Sequence, residues 1–285
     1  MSFGPNPWQQ TNWDWRAAGN FIGGGAGTGL IMFTAASGVE GTAAALLLLA
    51  GLALVGLGLT CVWAELGRPR RALHVFFNPG SSWMTRESIA ATALFPMGAA
   101  AAAGAYYGVQ HVAWIPAAFA LAFIYCQSRM LQGARGIVAW REPRVVVLLV
   151  ATSLAEGAGL FWLAQPWHGG GAGWLALLLG ALLLVRAGVW IAYRQRLTGK
   201  GAPRALRALD RAARVLLIGG TVLPLALLLA PFVAGTAAAP LAALAGLLAA
   251  LAGSYLKYVL VTRAGFNQGF ALLELPVRGA RPFSG

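Results

Sequence analysis

Residues 43–59 read AAALLLLAGLALVGLGL and contain no polar side chain. They lie inside a longer apolar segment, residues 42–65, which as an α-helix would be about 36 Å long at a rise of about 1.5 Å per residue. The hydrocarbon core of a bilayer is about 30 Å thick, and a helix needs about 20 apolar residues to cross it. The segment therefore predicts a transmembrane helix.

Apolar segments of similar length recur along the chain, and several are rich in Ala, Leu and Gly, as at residues 175–184. Small side chains allow transmembrane helices to pack closely. We predict an all-α polytopic membrane protein, a single transmembrane domain over residues 1–285 with a bundle of about eight helices. The predicted helices cover approximately residues 17–37, 42–65, 87–108, 112–132, 145–166, 173–195, 213–234 and 239–262.

The composition supports a lipid environment. The chain is 59% hydrophobic and only 10% charged, with a mean hydropathy of +0.69, whereas a soluble domain has about 25% charged residues. In a soluble protein, a net charge of +13 would indicate nucleic acid as a partner. The apolar bulk excludes that reading, so the expected partner is the bilayer and not nucleic acid.

The basic residues predict the orientation. Of the 21 Lys and Arg residues, 20 fall in the N-terminal segment, in the loops after predicted helices 2, 4 and 6, and in the C-terminal part, where Lys257 is counted. Arg186, inside predicted helix 6, is the exception. Because cytoplasmic loops of membrane proteins are enriched in Lys and Arg, both termini and the long loops are predicted to be cytoplasmic (N-in and C-in).

The glycine cluster GGGAGTG at residues 23–29 lies in the first predicted helix. No GxGxxG register fits it, so a nucleotide-binding loop is the weaker interpretation. Gly23 with Gly27, and Gly25 with Gly29, form two overlapping GxxxG pairs, which are typical of close helix contacts.

Histidine and cysteine indicate no metal centre on this chain. The three histidines, His74, His111 and His168, are placed in loops, with no pair at matching depth for a haem. Cys61 and Cys126 fall in predicted helices without metal-type spacing, which indicates free thiols. We therefore expect neither haem nor metal on this chain.

Two ionisable residues fall at membrane depth, where each costs at least a few kcal/mol unless it is paired or hydrated. Counted along the predicted helices, Glu156 lies roughly 16 Å and Arg186 roughly 12 Å from the inner ends. The helices are antiparallel neighbours in sequence, so the two side chains are expected to contact each other. They are either a structural ion pair or a step on a proton path, and the sequence leaves both open.

The densest polar pattern lies in the inner loops: ELGRP at 65–69, RRALHVFFNP at 70–79, SWMTRE at 82–87, YCQSRMLQGAR at 125–135 and AWREP at 139–143, with KYVLVTRAGFNQGF at 257–270 in the tail. Over nearly the whole chain this resembles the membrane-anchor subunits of molybdopterin oxidoreductases, the dimethyl sulfoxide reductase and polysulfide reductase anchor family. The opening FGPNPW at 3–8 and the tail look most like the anchor of phenylacetyl-CoA:acceptor oxidoreductases. Some relatives have His where Glu65 stands, which places their detailed proton chemistry in doubt here.

That resemblance implies a function in electron transport. It implies eight helices, no haem, and a site for ubiquinone or menaquinone in a multi-pass protein of the bacterial cytoplasmic (inner) membrane. The implied partners are an iron–sulfur electron-transfer subunit and a molybdopterin catalytic subunit, both on the cytoplasmic face. The chain would be the quinone-reacting subunit of an oxidoreductase, without a complete active site for the complex's substrate.

Quinone reduction takes two electrons and two protons, so the site needs a titratable group and hydrogen-bond donors to both carbonyl oxygens. Glu65 and His74 titrate, and arginines can stabilise a developing quinol anion. Asn20 and Tyr125 can donate hydrogen bonds from within the bilayer. The predicted quinone site therefore comprises Asn20, Glu65, Arg68, His74, Arg86, Tyr125 and Arg129, at the cytoplasmic ends of predicted helices 1 to 4.

Two other function classes remain as alternatives. Gly-rich helices and an intramembrane ion pair also suit a secondary transporter of a small molecule, but the inverted repeats and paired broken helices typical of transporters are not visible in the sequence. A membrane enzyme that works alone needs its own metal or nucleophile cluster, and no such cluster is visible either.

Overall fold

A computed structural model describes residues 4, 6–64, 69–169, 173–234 and 238–269. Among these residues, all regular secondary structure is helical apart from two isolated β-bridges. The helices are α1 (Trp15–Ser37), α2 (Gly41–Trp63), a 3-10 helix (Pro69–Phe77), α3 (Trp83–Tyr106), α4 (Trp114–Gly133), α5 (Val138–Arg141), α6 (Arg144–Leu163), α7 (Gln165–His168), α8 (Gly173–Leu197), α9 (Pro203–Arg214), a π-helix (Val215–Val222), α10 (Leu223–Ala234) and α11 (Ala238–Thr262).

Six helical spans in the described ranges are long and apolar enough to cross a membrane, which makes the chain an all-α, multi-pass membrane protein. Helices α1 and α4 have comparable lengths of 23 and 20 residues, but α1 is rich in glycine and α4 contains several polar residues. The six spans are Gly41–Trp63, Trp83–Tyr106, Arg144–Leu163, Gly173–Leu197, Pro203–Pro231 and Ala238–Thr262.

Helix α3 begins four residues before the predicted start at residue 87. The reason is Ser82, whose side chain caps the helix by accepting a hydrogen bond from the Thr85 backbone N–H at 3.2 Å. A serine at this position satisfies one of the four free N–H groups of a helix start. Arg86 and Glu87 therefore lie inside the helix and not at its first residue.

The prediction of a loop immediately before residue 213 is also wrong. Residues from Pro203 onward are helical and continue through the π-helix into α10. Helix α9 is amphipathic: Ala205, Leu209 and Ala212 are buried, whereas arginines line its exposed face. The predicted loop combined high charge with regular apolar spacing, and the spacing was the informative signal.

The long helices form two groups that meet at α1. Helices α1 to α4 pack around one another, and α6, α8, α10 and α11 form the second group. Helix α1 contacts α2 and α4 of the first group and α6 and α11 of the second. It is therefore the helix that both groups share.

The two GxxxG pairs in α1 are confirmed as contact surfaces. A Cβ atom at Gly23 or Gly27 would meet the α2 backbone, whereas one at Gly25 or Gly29 would meet α6 or α11. The glycines thus let α1 approach helices on both of its faces.

Loops and termini meet at one end of the bundle, which we call the basic end. The N-terminal segment pairs with the C-terminal one through a bridge between Gln9 and Phe266, and Ile137 bridges to Asn267. Ala202 packs on Phe266. The basic end comprises residues 6–14, 69–82, 134–143, 198–202 and 263–269; at the opposite end, residues 38–40 meet residues 109–114.

Asp14 caps the first helix at the basic end. Its carboxylate accepts from the Arg16 backbone N–H at 2.8 Å and forms a salt bridge with the Arg16 guanidinium at 2.9 Å. These interactions hold the pKa of the Asp14 carboxyl below its usual value.

Candidate functional site

Three polar side chains meet inside the first helix group, and we call them the amide–carboxylate cluster. Gln127 of α4 donates from Nε2 to Glu87 Oε1 of α3 at 3.0 Å and to the Asn20 backbone oxygen of α1 at 3.1 Å. Asn20 Nδ2 also lies 3.4 Å from Glu87 Oε1 and donates to it. None of the three residues is more than 3% exposed. A carboxylate and two amides from three helices therefore converge in the interior.

The cluster lies close to the basic end. Glu87 is four residues from the start of α3, Asn20 is five from the start of α1, and Gln127 is six from the end of α4. At a rise of 1.5 Å per residue, these positions are about 6–9 Å from that end. The carboxylate thus lies inside the bundle, yet within short reach of the loops.

Two polar atoms of this cluster have no partner. The side-chain oxygens of Asn20 and Gln127 are buried without a hydrogen bond to any described residue. Each such atom typically costs about 1–3 kcal/mol. Two of them beside one carboxylate indicate a place that a hydrogen-bonding ligand or water completes.

A second group of predicted residues gathers around Trp83. The Arg86 and Arg129 guanidinium carbons lie 4.3 and 4.6 Å from the Trp83 ring centroid. The Tyr125 hydroxyl accepts from Arg129 Nη1 at 3.3 Å. Tyr125 is 43% exposed, so it lies on the surface and not among the buried donors.

The remaining predicted quinone residues are His74, Glu65 and Arg68. His74 lies on the 3-10 helix, with its ring 5.3 Å from that of Phe77 in an edge-to-face arrangement. Glu65 and Arg68 lie outside the described residues. The structure therefore brings Arg86, Tyr125 and Arg129 together and places Asn20 with two residues that the sequence prediction did not include.

Glu156 is paired with Lys257 and not, as predicted, with Arg186. Lys257 Nζ donates to Glu156 Oε2 at 2.5 Å and to Ser153 Oγ at 2.9 Å, and all three residues are buried. We call these residues the ion-pair cluster. Lys257 was counted among the basic residues of the cytoplasmic side, and that count is corrected here because the side chain is 0% exposed inside α11.

The direction of the side chains explains the partner. Side chains on a helix lean toward its N-terminus. Helix α6 starts at the basic end, so the Glu156 side chain leans toward that end. Helix α8 runs the other way, so the Arg186 side chain leans away from that end. The Cα atoms of the two residues lie at nearly the same depth. The Cα atom of Lys257 lies about 10 Å nearer the basic end, and its side chain leans toward Glu156.

The two terminal nitrogens of Arg186 donate to backbone oxygens, whereas its Nε is buried without a hydrogen-bond partner among the described residues. Its Nη1 donates to Ala249 O at 2.9 Å, and its Nη2 donates to Gly220 O. Gly220 is four residues before Pro224, which has no N–H to donate back to it. The proline and the π-helix therefore free a carbonyl that the guanidinium uses.

The two clusters approach α1 at adjacent glycines, whose Cβ directions differ by about 100° around the helix axis. A Cβ at Gly24 would be 2.5 Å from Gln127 Nε2, and one at Gly25 would overlap Lys257 Nζ. With 3.8 Å between consecutive Cα atoms, the two nitrogens are at most about 12 Å apart. The two clusters therefore come close to each other at this point of α1.

Three functional candidates were missed from the sequence: Glu87, Gln127 and Lys257. If Ser82 is recognised as the cap, α3 is predicted to begin at residue 83, and Glu87 then lies one turn inside the helix. Lys257 already lay inside the predicted span 239–262. Gln127 gave no separate signal, because an amide in an apolar helix is more often an ordinary packing residue.

Comparison with known proteins identifies no family for this chain. No family model matches the chain, and neither does any curated protein. The arrangement of the two clusters within the fold is therefore the basis for a functional assignment.

Proposed function

We propose that the chain is the membrane-anchor and quinone-binding subunit of a molybdenum oxidoreductase complex, of the dimethyl sulfoxide reductase and polysulfide reductase anchor type. It passes electrons between the quinone pool and an iron–sulfur subunit, which docks with a molybdopterin catalytic subunit on the cytoplasmic face. In this proposal α1 and α4 also cross the membrane, which gives eight spans with both termini in the cytoplasm. The observation that carries the proposal is the buried amide–carboxylate cluster near the basic end.

The cluster has the groups that quinone chemistry requires. Reduction adds two electrons and two protons to the ring oxygens, and Glu87 is a carboxyl group that can transfer a proton at this depth. The Asn20 and Gln127 amides each have an unused polar atom, and an amide presents an acceptor to a quinol hydroxyl or, once rotated, a donor to a quinone carbonyl. A buried carboxylate is costly in a membrane span and is a marker of function there.

The residues around Trp83 supply the outer part of the site. Arg86 and Arg129 carry positive charge near the basic end, where charge on a semireduced ring would be stabilised. Tyr125 is fixed by Arg129 beside them. We retain His74, Glu65 and Arg68 as part of the proposal, since they lie in the sequence between α2 and α3.

We assign Glu156 a structural role. Its carboxylate is held by Lys257 and lies 3.4 Å from the Ser254 hydroxyl, which donates to it. Both partners are on α11, so the pair fastens α6 to α11. If Glu156 instead conducts protons, quinone-linked proton uptake should fall in the Glu156→Gln variant at temperatures where the protein stays folded.

The test is the Glu87→Gln variant of the complex. The variant keeps the side-chain volume, so assembly should persist while quinone-linked turnover falls about 10²-fold, as expected for the loss of an acid–base group. Electron transfer to a soluble dye, which bypasses the anchor, should not change. The matched control is Glu40→Gln, an exposed residue at the opposite end, which should leave quinone-linked turnover intact.

Purification provides the second test. An anchor should co-purify with iron, molybdenum and two large partner subunits, whereas a transporter should bring none of these. Full quinone-linked activity of Glu87→Gln in an intact complex would refute the assignment of the site, and the absence of partner subunits would refute the proposed function as a whole.

A further inference from the structure

A cleft of ≈ 420 Å³ opens at the basic end, between the start of α3 and the end of α4. Among the residues that the structure describes, its lining carries three positive charges and no carboxylate. The lining residues are Trp83, Arg129, Gln132, Gly133, Arg135 and Arg141. The volume falls within the usual range of small-molecule sites, about 300–1,000 Å³.

The three arginines are held in different ways, and each retains donors for a ligand. Arg129 stacks on Trp83, and its Nε is buried with no hydrogen-bond partner among the described residues. Arg135 is exposed, and its side chain makes no hydrogen bond or ion pair within the described ranges. With the Gln268 amide rotated so that its oxygen faces Arg141, that oxygen accepts from Arg141 Nη1 and Nη2 at 2.7 and 2.9 Å, which orients the guanidinium.

An exposed apolar strip leads away from the cleft along α4. Leu121 and Tyr125 are 52% and 43% exposed. Together with Arg129 they are spaced four residues apart, so the three share one face of the helix. The surface thus changes from apolar to cationic over about 12 Å, in the direction from the membrane interior to the basic end.

We propose that this cleft binds the phosphate group of an anionic phospholipid, with an acyl chain along Leu121 and Tyr125. Guanidinium groups bind phosphate oxygens through paired, charge-assisted hydrogen bonds, and basic pockets between transmembrane helices bind lipid head groups. The apolar strip favours a lipid over free phosphate, because free phosphate has no apolar group that could pack on it. The cleft shares Trp83 and Arg129 with the outer part of the proposed quinone site, so lipid binding is tested at Arg135 and Arg141, which are not part of that site.

The experiment measures lipid binding to the purified full chain in detergent by native mass spectrometry. Short-chain phosphatidylglycerol should bind more tightly than phosphatidylcholine of the same chain length. Arg135→Gln and Arg141→Gln should each weaken phosphatidylglycerol binding by about tenfold or more, since each removes a charge-assisted hydrogen bond. The matched control is Arg207→Gln on the exposed face of α9, which removes the same charge outside the cleft and should leave the affinity unchanged.

Three results would overturn the proposal. The first is an equal loss of affinity in Arg207→Gln and the cleft variants, which would indicate attraction by overall charge only. The second is binding of inorganic phosphate as tight as that of phosphatidylglycerol, which would assign the cleft to a free anion. The third is loss of an acidic partner protein from the cleft variants with lipid affinity unchanged, which would assign the cleft to protein docking.

Discussion

Replacing Lys257 with methionine removes the positive partner of Glu156 and keeps an unbranched side chain of similar length. In the native protein, Lys257 Nζ lies 2.5 Å from Glu156 Oε2 and 2.9 Å from Ser153 Oγ. Neither charged side chain is more than 1% exposed. The variant therefore leaves a carboxylate in the interior without its counter-ion.

The expected decrease in the free energy of unfolding is large for a single substitution. Removing one partner of a buried ion pair typically costs about 3–5 kcal/mol, whereas replacing both with apolar residues is far milder. For a chain of this size, about 2–4 °C of melting temperature corresponds to 1 kcal/mol. Lys257→Met and Glu156→Met should each lower the apparent Tm by roughly 6–20 °C. The Tm of the double variant should decrease by less than that of either single variant.

The assay is a double-mutant cycle on thermal unfolding of the purified chain in detergent. Contacting residues give coupling energies of about 0.5–3 kcal/mol. A matched cycle that combines Glu156→Met with Arg186→Met should show weaker coupling, because Arg186 is bound to backbone oxygens instead. Strictly additive losses for Glu156 and Lys257, or stronger coupling to Arg186, would refute the pairing.

Three further predictions address packing, orientation and cofactors. Gly25→Ala should destabilise the protein in detergent melts because its Cβ would overlap Lys257 Nζ, whereas Gly188→Ala, which meets no atom within 4 Å, should stabilise it by about 0.5–1 kcal/mol. In a cysteine-free background, a cysteine at position 38 should label from the periplasm and one at position 80 should not; the reverse pattern would invert the proposed orientation. The purified complex should contain iron in cluster stoichiometry and give no pyridine haemochrome signal from this chain, and a haem bound to it would contradict the prediction.

The fold was largely predictable because hydrophobic length sets it. Spans such as Arg144–Leu163 and Ala238–Thr262 lie within a few residues of their predicted bounds. The prediction from the sequence fails where polar residues are helical: the Ser82 cap starts α3 before residue 87, and α9 is an amphipathic helix although its charge density predicts a loop. Hydropathy does not detect an amphipathic helix whose apolar residues occupy only one face.

The candidate site was less predictable because it depends on which helices are neighbours. Asn20 was recognised, but its partner Glu87 was placed at the helix start, where a carboxylate is ordinary. Arg186 and Glu156 were paired because their helices are consecutive and their depths match. The chain instead places Lys257, about a hundred residues from Glu156 in sequence, on the neighbouring helix, and no spacing rule in a single sequence encodes that contact.

Because Arg186 is bound by carbonyl oxygens, its charge is not cancelled. The Glu156–Lys257 pair has no net charge wherever its proton lies, so the described buried side chains of the second helix group retain one positive charge. At about 10 Å and an effective dielectric constant of about 20, that charge raises the energy of a passing cation by about 1.7 kcal/mol, which lowers its population more than tenfold. Fixed positive charges exclude protons from membrane pores in this way. The arginine thus forms an electrostatic barrier to cations in the interior of the second helix group.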